Sequence, residues 1–148
     1  MPIRNTSTLR IGDLARISGC QDVTVRYYEK EGLLPEPVRS SGNYRLYGPT
    51  HVERLQFIRY CRSLDMSLAE IRELLALRDN PANECGQINA LLDRHIAQVQ
   101  TRIRELEHLQ KHLLMLRKEC GESRPVQACG ILQGISHDIR CETCPTLA

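Results

Sequence analysis

Between Ile88 and Leu116 the apolar residues return at alternating steps of three and four: Ile88, Leu92, Val99, Ile103, Leu106, Leu109, Leu113 and Leu116, with His95 holding one place in the series. That spacing is the seam of a coiled coil. No Gly or Pro interrupts Gln87 to Glu119, and polar residues such as Gln98, Arg102, Glu105 and Lys111 fill the other faces. A single long helix with an apolar seam is not stable alone in water, so the pattern predicts a dimerisation helix.

The periodicity upstream is shorter and more broken. Ile11, Leu14 and Ala15 share one face of a helix ended by Gly19. Asp22 is placed to cap a second helix, with Val25 and Tyr28 on one face and Thr24, Arg26 and Tyr27 on others, and Gly32 stops it. Two short helices joined by Ser-Gly-Cys-Gln-Asp make a helix-turn-helix. Pro35 and Pro37 then break the helical pattern. Val38-Arg39 and Tyr44–Tyr47 read as two short strands around the turn Ser40–Asn43, a basic and aromatic hairpin that forms a wing. Arg39, Asn43, Tyr44 and Arg45 are candidates to reach phosphates or a minor groove. The alternative is a solvated hairpin in which Tyr44 or Tyr47 packs on the core.

Pro49 suits a first helical turn, and Val52, Leu55, Ile58 and Cys61 carry that helix to about Leu64. Ser67 and Glu70 form a capping box, and Leu68, Ile71 and Leu75 continue the next helix. The run Arg78–Glu84 breaks it. After Cys129, residues 130–140 can form one short helix, and the chain closes on a Cys-x-x-Cys tail, Cys141 and Cys144. The reading is mainly α: a winged helix-turn-helix head with connecting helices (1–78), a linker and antiparallel coiled-coil dimerisation helix (79–120), and a C-terminal metal-binding loop with a short helix and tail (121–148).

Composition changes the picture at two points. Net charge is only +2 over 148 residues, but it is uneven. Residues 1–64 carry ten Lys and Arg against six Asp and Glu, whereas residues 65–148 carry ten against twelve. The basic half coincides with the wing, which points to nucleic acid. Seven cysteines with no secretory signal or membrane-spanning apolar run suggest a reducing cytosol and no membrane partner. There, clustered thiols mean metal or redox chemistry more often than disulfides.

Cys85 and Cys120 bracket the long helix, and Cys129 follows a Gly- and Pro-containing loop. A helix rising about 1.5 Å per residue separates the first two by roughly 50 Å, so they do not meet within one chain. If two copies pack antiparallel, Cys85 of one approaches Cys120 and Cys129 of the other, and two three-thiolate sites result. The competing reading is a plain dimerisation helix with incidental buried cysteines. Three thiolates select soft or borderline ions: lead, cadmium, mercury or zinc. Zinc usually takes four ligands, and only Glu84, Glu119 and Glu122 lie near in sequence. His108 and His112, four apart on one helix face, read as solvated residues, and His95 as a polar register residue about 15 Å along the helix from Cys85.

Together these stretches resemble the MerR family of bacterial transcription regulators. The carriers are IGDLARISGCQDVTVRYYEKEGLL, then RSSGNYRLYGPTHVERLQFIRYCRSLDMSLAEI, then Cys85, Cys120 and Cys129 with CGILQGI following. The cysteine spacing is most similar to the lead- and cadmium-responsive members of the heavy-metal branch. The resemblance implies a homodimer on promoter DNA, a partnership with RNA polymerase, and activation by DNA distortion when metal binds. It implies a recognition helix over Asp22–Glu31, a wing over Arg39–Tyr47, and Cys85, Cys120 and Cys129 as effector ligands. Cys20 and Cys61 fall outside that pattern and are read as packing residues, whereas Cys141 and Cys144 are free to bind metal or exchange disulfides. Two alternatives stay open. One is a thiol-based redox sensor or an iron–sulfur sensor, the latter needing four clustered cysteines. The other is a metal-scavenging thiol protein without DNA binding. No Ser/His/Asp or paired-carboxylate arrangement points to an enzyme.

Overall fold

The computed structural model describes residues 8–82, 84–123 and 125–138, the side chains of 137 and 138 excepted. The Cys141/Cys144 tail lies outside the described residues. Six α-helices and one two-stranded ribbon appear there: α1 (Ile11–Ser18), α2 (Asp22–Lys30), β1 (Val38–Arg39), β2 (Arg45–Leu46), α3 (Pro49–Ser63), α4 (Leu68–Arg78), α5 (Cys85–Lys118) and α6 (Gly130–Asp138). Two compact units divide the chain, residues 1–93 and 94–148, and the boundary falls inside α5.

In the first unit α1 ends where Gly19 turns left-handed at φ 64°, its N–H closing on Ala15 and Arg16 carbonyls. The expected Asp22 cap is not formed. Gln21 holds the N-cap position without a side-chain bond, and Asp22 is the first helical residue. There its carboxylate still faces the positive end of the helix dipole. β1 and β2 pair antiparallel, Val38 opposite Leu46 and Arg39 opposite Arg45. The second strand is shorter than its sequence suggests. Tyr47 leaves the ribbon to form a bridge with Leu9 instead.

The Ser67 capping box is present as the sequence predicts. Glu70 N–H donates to Ser67 Oγ at 3.2 Å, and Ser67 N–H donates to Glu70 Oε2 at 2.7 Å. α4 is tied back to the helix-turn-helix through Arg54 of α3. Its Nε donates to the Leu33 carbonyl at 2.6 Å, and its guanidinium pairs with Asp79 at 2.7 Å. Arg72 donates to the Glu31 carbonyl at 2.9 Å.

One core joins these elements. Leu14, Val25, Leu33, Leu55, Ile58 and Ile71 are fully buried, and Cys61 and Tyr47 lie among them. Leu91, one position off the predicted seam, is fully buried in the same core. The seam residues Leu92, Val99, Ile103, Leu106, Leu109 and Leu113 are exposed on the single chain, whereas His95 is buried.

Candidate nucleic-acid interface and metal centre

The head gathers the basic candidates onto one surface. Arg26, Asn43, Tyr44 and Arg45 line one shallow depression together with Arg10 and Ile11. Arg26, Arg39 and Arg45 line an adjoining groove with Glu29, Lys30 and Glu36. Arg26 and Tyr27 are exposed on α2, and Thr24 is half-buried beside them. Solvent-facing guanidinium groups beside an aromatic ring suit phosphate and groove contacts.

The wing owes its shape to its turn. Asn43 sits at φ 63°, the left-handed region that Asn tolerates better than most side chains. Arg39 Nη1 donates to Asn43 Oδ1 at 3.1 Å and to its carbonyl at 3.3 Å. Arg39 and Asn43 therefore brace each other as well as facing outward. Tyr44 is exposed, with Arg10 stacked 5.3 Å from its ring centre. Arg10 was not singled out in the sequence. Its position at the N-cap of α1 carries no signal for a contact with a wing more than thirty residues on.

Arg45 is less free than its composition suggests. Its Nε pairs at 3.3 Å with Glu29 of α2. The same carboxylate accepts from the Tyr47 hydroxyl at 2.5 Å. Burial, followed by the hydrogen bond to Glu29, raises the Tyr47 phenol far above the ordinary tyrosine range. α2 and the hairpin are thus joined through Glu29.

The thiols fall into three environments. Cys61 is buried in the core and Cys20 half-buried against it, and burial pushes both thiols up. Both are packing residues, as the sequence suggests. Cys85 is exposed at the first position of α5. In the second unit, Cys120 and Cys129 meet. The Cys120 thiol donates to the Glu122 carbonyl at 3.4 Å and lies near enough to Cys129 to lower its thiol. Cys129 immediately precedes α6. The backbone N–H of Leu132 lowers its thiol, burial opposes that, and the Ile131 N–H and the Cys120 thiol lower it further. A helix N-terminus favours thiolate, the form that binds metal. Arg117 Nη1 fixes the near end of the loop by donating to the Cys120 carbonyl at 2.7 Å.

The donor chemistry of this pair fits a thiophilic ion: two soft sulfurs near each other, one of them favoured as thiolate. No group of three potential ligands comes together among the described residues of one chain. His108 is exposed and His112 half-buried on α5. No described helix is long and apolar enough to cross a membrane.

Comparison with protein families, relatives and solved structures gives several matches. Residues 9–77 match the profile of the MerR HTH family regulatory protein, and residues 52–116 match that of MerR, DNA binding. The ZntR homolog of Haemophilus influenzae, an HTH-type transcriptional regulator, is 49% identical over 111 residues, which cover 75% of this chain and 82% of the relative. ZntR of Escherichia coli is 37% identical over 128 residues, covering 85% and 91%. Among solved structures, a transcription regulator from Ralstonia metallidurans in complex with lead(II) superposes with a TM-score of 0.78 at 54% identity, covering 86% of this chain and 98% of that one. The mercury(II) complex of the MerR regulator of Bacillus megaterium superposes at 0.68 and 28% identity, covering 86% and 99%. Head, wing and long helix all fall within these matches, and the chain belongs to the MerR family of helix-turn-helix regulatory proteins.

Proposed function

We propose that this protein is a metal-responsive transcriptional regulator that binds promoter DNA as a homodimer and activates transcription when a thiophilic divalent ion binds. The observation that carries the reading is the Cys120–Cys129 thiol pair, set at the N-terminus of α6 in a chain 54% identical to a regulator crystallised with lead(II). Lead or cadmium is the effector in this reading, with zinc and mercury as further members of the same soft class. Exposed Cys85 supplies the third thiolate from the partner protomer, because one chain provides the pair and the long helix carries Cys85 away from it. The exposed seam of α5 is the surface on which two protomers meet.

Thr24, Arg26, Tyr27, Arg39, Asn43, Tyr44 and Arg45 form the DNA interface in this reading. Arg26 and Tyr27 enter the major groove from α2, and the wing residues hold the flanking backbone. Cys85 of one protomer and the thiol pair of the other would hold the metal, which would tie the two protomers together. Such a crosslink switches transcription only through its different affinity for two dimer shapes. Bending or untwisting an operator costs about 1–6 kcal/mol, a sum that thiolate–metal binding is strong enough to supply. RNA polymerase then reads the altered DNA.

The contact between Cys120 and Cys129 also favours a second reading, a thiol-based redox sensor in which they form an intrachain disulfide. A transcription assay across lead, cadmium, zinc, mercury and a disulfide-forming oxidant, with operator binding followed in parallel, separates the two. The metal reading expects metal to raise transcription and to make central operator base pairs reactive to a distortion-sensitive probe while the protein stays bound. Cys129→Ala is expected to block that reactivity without releasing the protein. Release from the operator by metal, with no prior change in DNA shape, would make the protein an ordinary repressor.

A further inference from the structure

Cys129 reaches Cys120 because α6 lies almost against the main chain at the end of α5. A Cβ placed on Gly130, the first residue of α6, would sit 2.5 Å from the Glu119 carbonyl oxygen, 3.2 Å from its carbonyl carbon and 3.3 Å from its Cβ. Glu119 immediately precedes Cys120, and its carbonyl is backbone that cannot rotate aside as a side-chain tip does. Gly130 is not among the residues at positive φ. Its need for glycine comes from close approach and not from backbone conformation. One turn on, a Cβ at Gly134 would lie 3.2 Å from Leu116 Cδ2, the flexible end of a side chain.

We propose that Gly130 is a positioning residue for the thiol pair: its missing side chain lets the first turn of α6 seat on the Glu119 carbonyl and so holds the Cys129 sulfur beside that of Cys120. The inference rests on the metal reading above and deepens it. An ordinary Cβ contact begins near 3.4 Å, so any side chain at Gly130 must push α6 back by roughly 1 Å. Metal–thiolate distances tolerate only about 0.2 Å. A displacement of that size therefore removes one of the paired donors from coordination range while leaving the helix itself intact.

The test uses the full-length protein and its Gly130→Ala variant. Gly121→Ala, where a Cβ meets nothing within 4 Å, is the control in the same loop. Cadmium ion alone is the metal probe, its affinity measured by competition with a chromophoric chelator. A second readout needs no metal. Diamide is added to the metal-free protein, and peptide mass spectrometry follows the Cys120–Cys129 disulfide. In that reaction the two thiols give up two protons and two electrons to the azo bond of the reagent, which becomes the hydrazine.

Gly130→Ala is expected to weaken cadmium binding by about 10–100-fold, the range for a group that orients a ligand. Disulfide closure should slow in parallel, and metal-free operator binding should not change. Gly121→Ala should match the unaltered protein in all three. Gly134→Val, which presses on a side-chain tip and not on main chain, should shift both thiol readouts in the same direction by less, and it stands in if Gly130→Ala does not fold. Unchanged cadmium affinity, or an unchanged closure rate, overturns the positioning role. Failure of the unaltered protein to bind cadmium overturns the metal reading instead, while the disulfide rate still decides the role of Gly130.

Discussion

The Tyr47 hydroxyl donates to Glu29 at 2.5 Å, and through that carboxylate the wing is fastened to α2. Tyr47 is 1% exposed, so its hydroxyl has no ready substitute in solvent. Tyr47→Phe leaves Glu29 held by Arg45 alone. Hydrogen bonds to charged groups contribute about 1.5–3 kcal/mol, so chemical denaturation should show a loss of that order. Operator affinity should fall with it, since the wing loses its register against α2. A variant as stable as the unaltered protein would show that the Glu29 bridge does not stabilise the head.

Arg26 is exposed and lines both depressions of the head. Arg26→Ala should weaken operator binding by about 1–3 kcal/mol if the guanidinium reads a base, or reduce the salt slope by about one if it meets a phosphate. Fluorescence anisotropy across a salt series distinguishes these results. Affinity unchanged at every salt concentration would remove Arg26 from the interface.

Sharing of ligands between protomers has its own signature. Cys85→Ser and Cys120→Ser homodimers should each lose tight metal binding. A mixed dimer with Cys85→Ser on one protomer and Cys120→Ser on the other concentrates both losses in one site and leaves the second whole. Isothermal titration should then find half the usual metal stoichiometry at full affinity. Complete loss in the mixed dimer would contradict the antiparallel arrangement.

Thiol reactivity should follow the three environments. The amides of Leu132 and Ile131 lower Cys129, whereas burial raises Cys20 and Cys61. The thiolate is the nucleophile. As pH falls through the ordinary thiol range, alkylation of metal-free protein by iodoacetamide should therefore persist longest at Cys129 and fade first at Cys20 and Cys61. Peptide mass spectrometry at several pH values gives the order directly. Cys61 reacting ahead of Cys129 at low pH would refute it.

Much of the local architecture is written in short-range signals. The Ser67–Glu70 box, Gly19 after α1, Pro49 at the start of α3 and the three–four spacing of α5 each act within a turn or two, and all appear where the sequence places them. The hairpin around Ser40–Asn43 is legible for the same reason. The Asp22 cap fails because a capping residue has to sit outside the helix, and this helix starts one residue early.

Which side chains meet across the fold was settled only by packing. Tyr44 and Tyr47 look alike in the sequence, yet one is 61% exposed and the other joins the core. Leu91 and Leu92 are neighbours on α5, and burial in the head selects Leu91 alone. Arg10 reaches the wing, and Glu29 joins Arg45 to Tyr47, through contacts that no local pattern encodes. The three cysteines and the soft-metal chemistry of their thiolates are legible in the sequence. That Cys120 and Cys129 meet depends on the seating of Gly130 against the Glu119 carbonyl. Spacing along a chain constrains which elements form, but the approach of two backbones depends on a side chain that is absent, and a glycine at the start of a helix does not announce its neighbour.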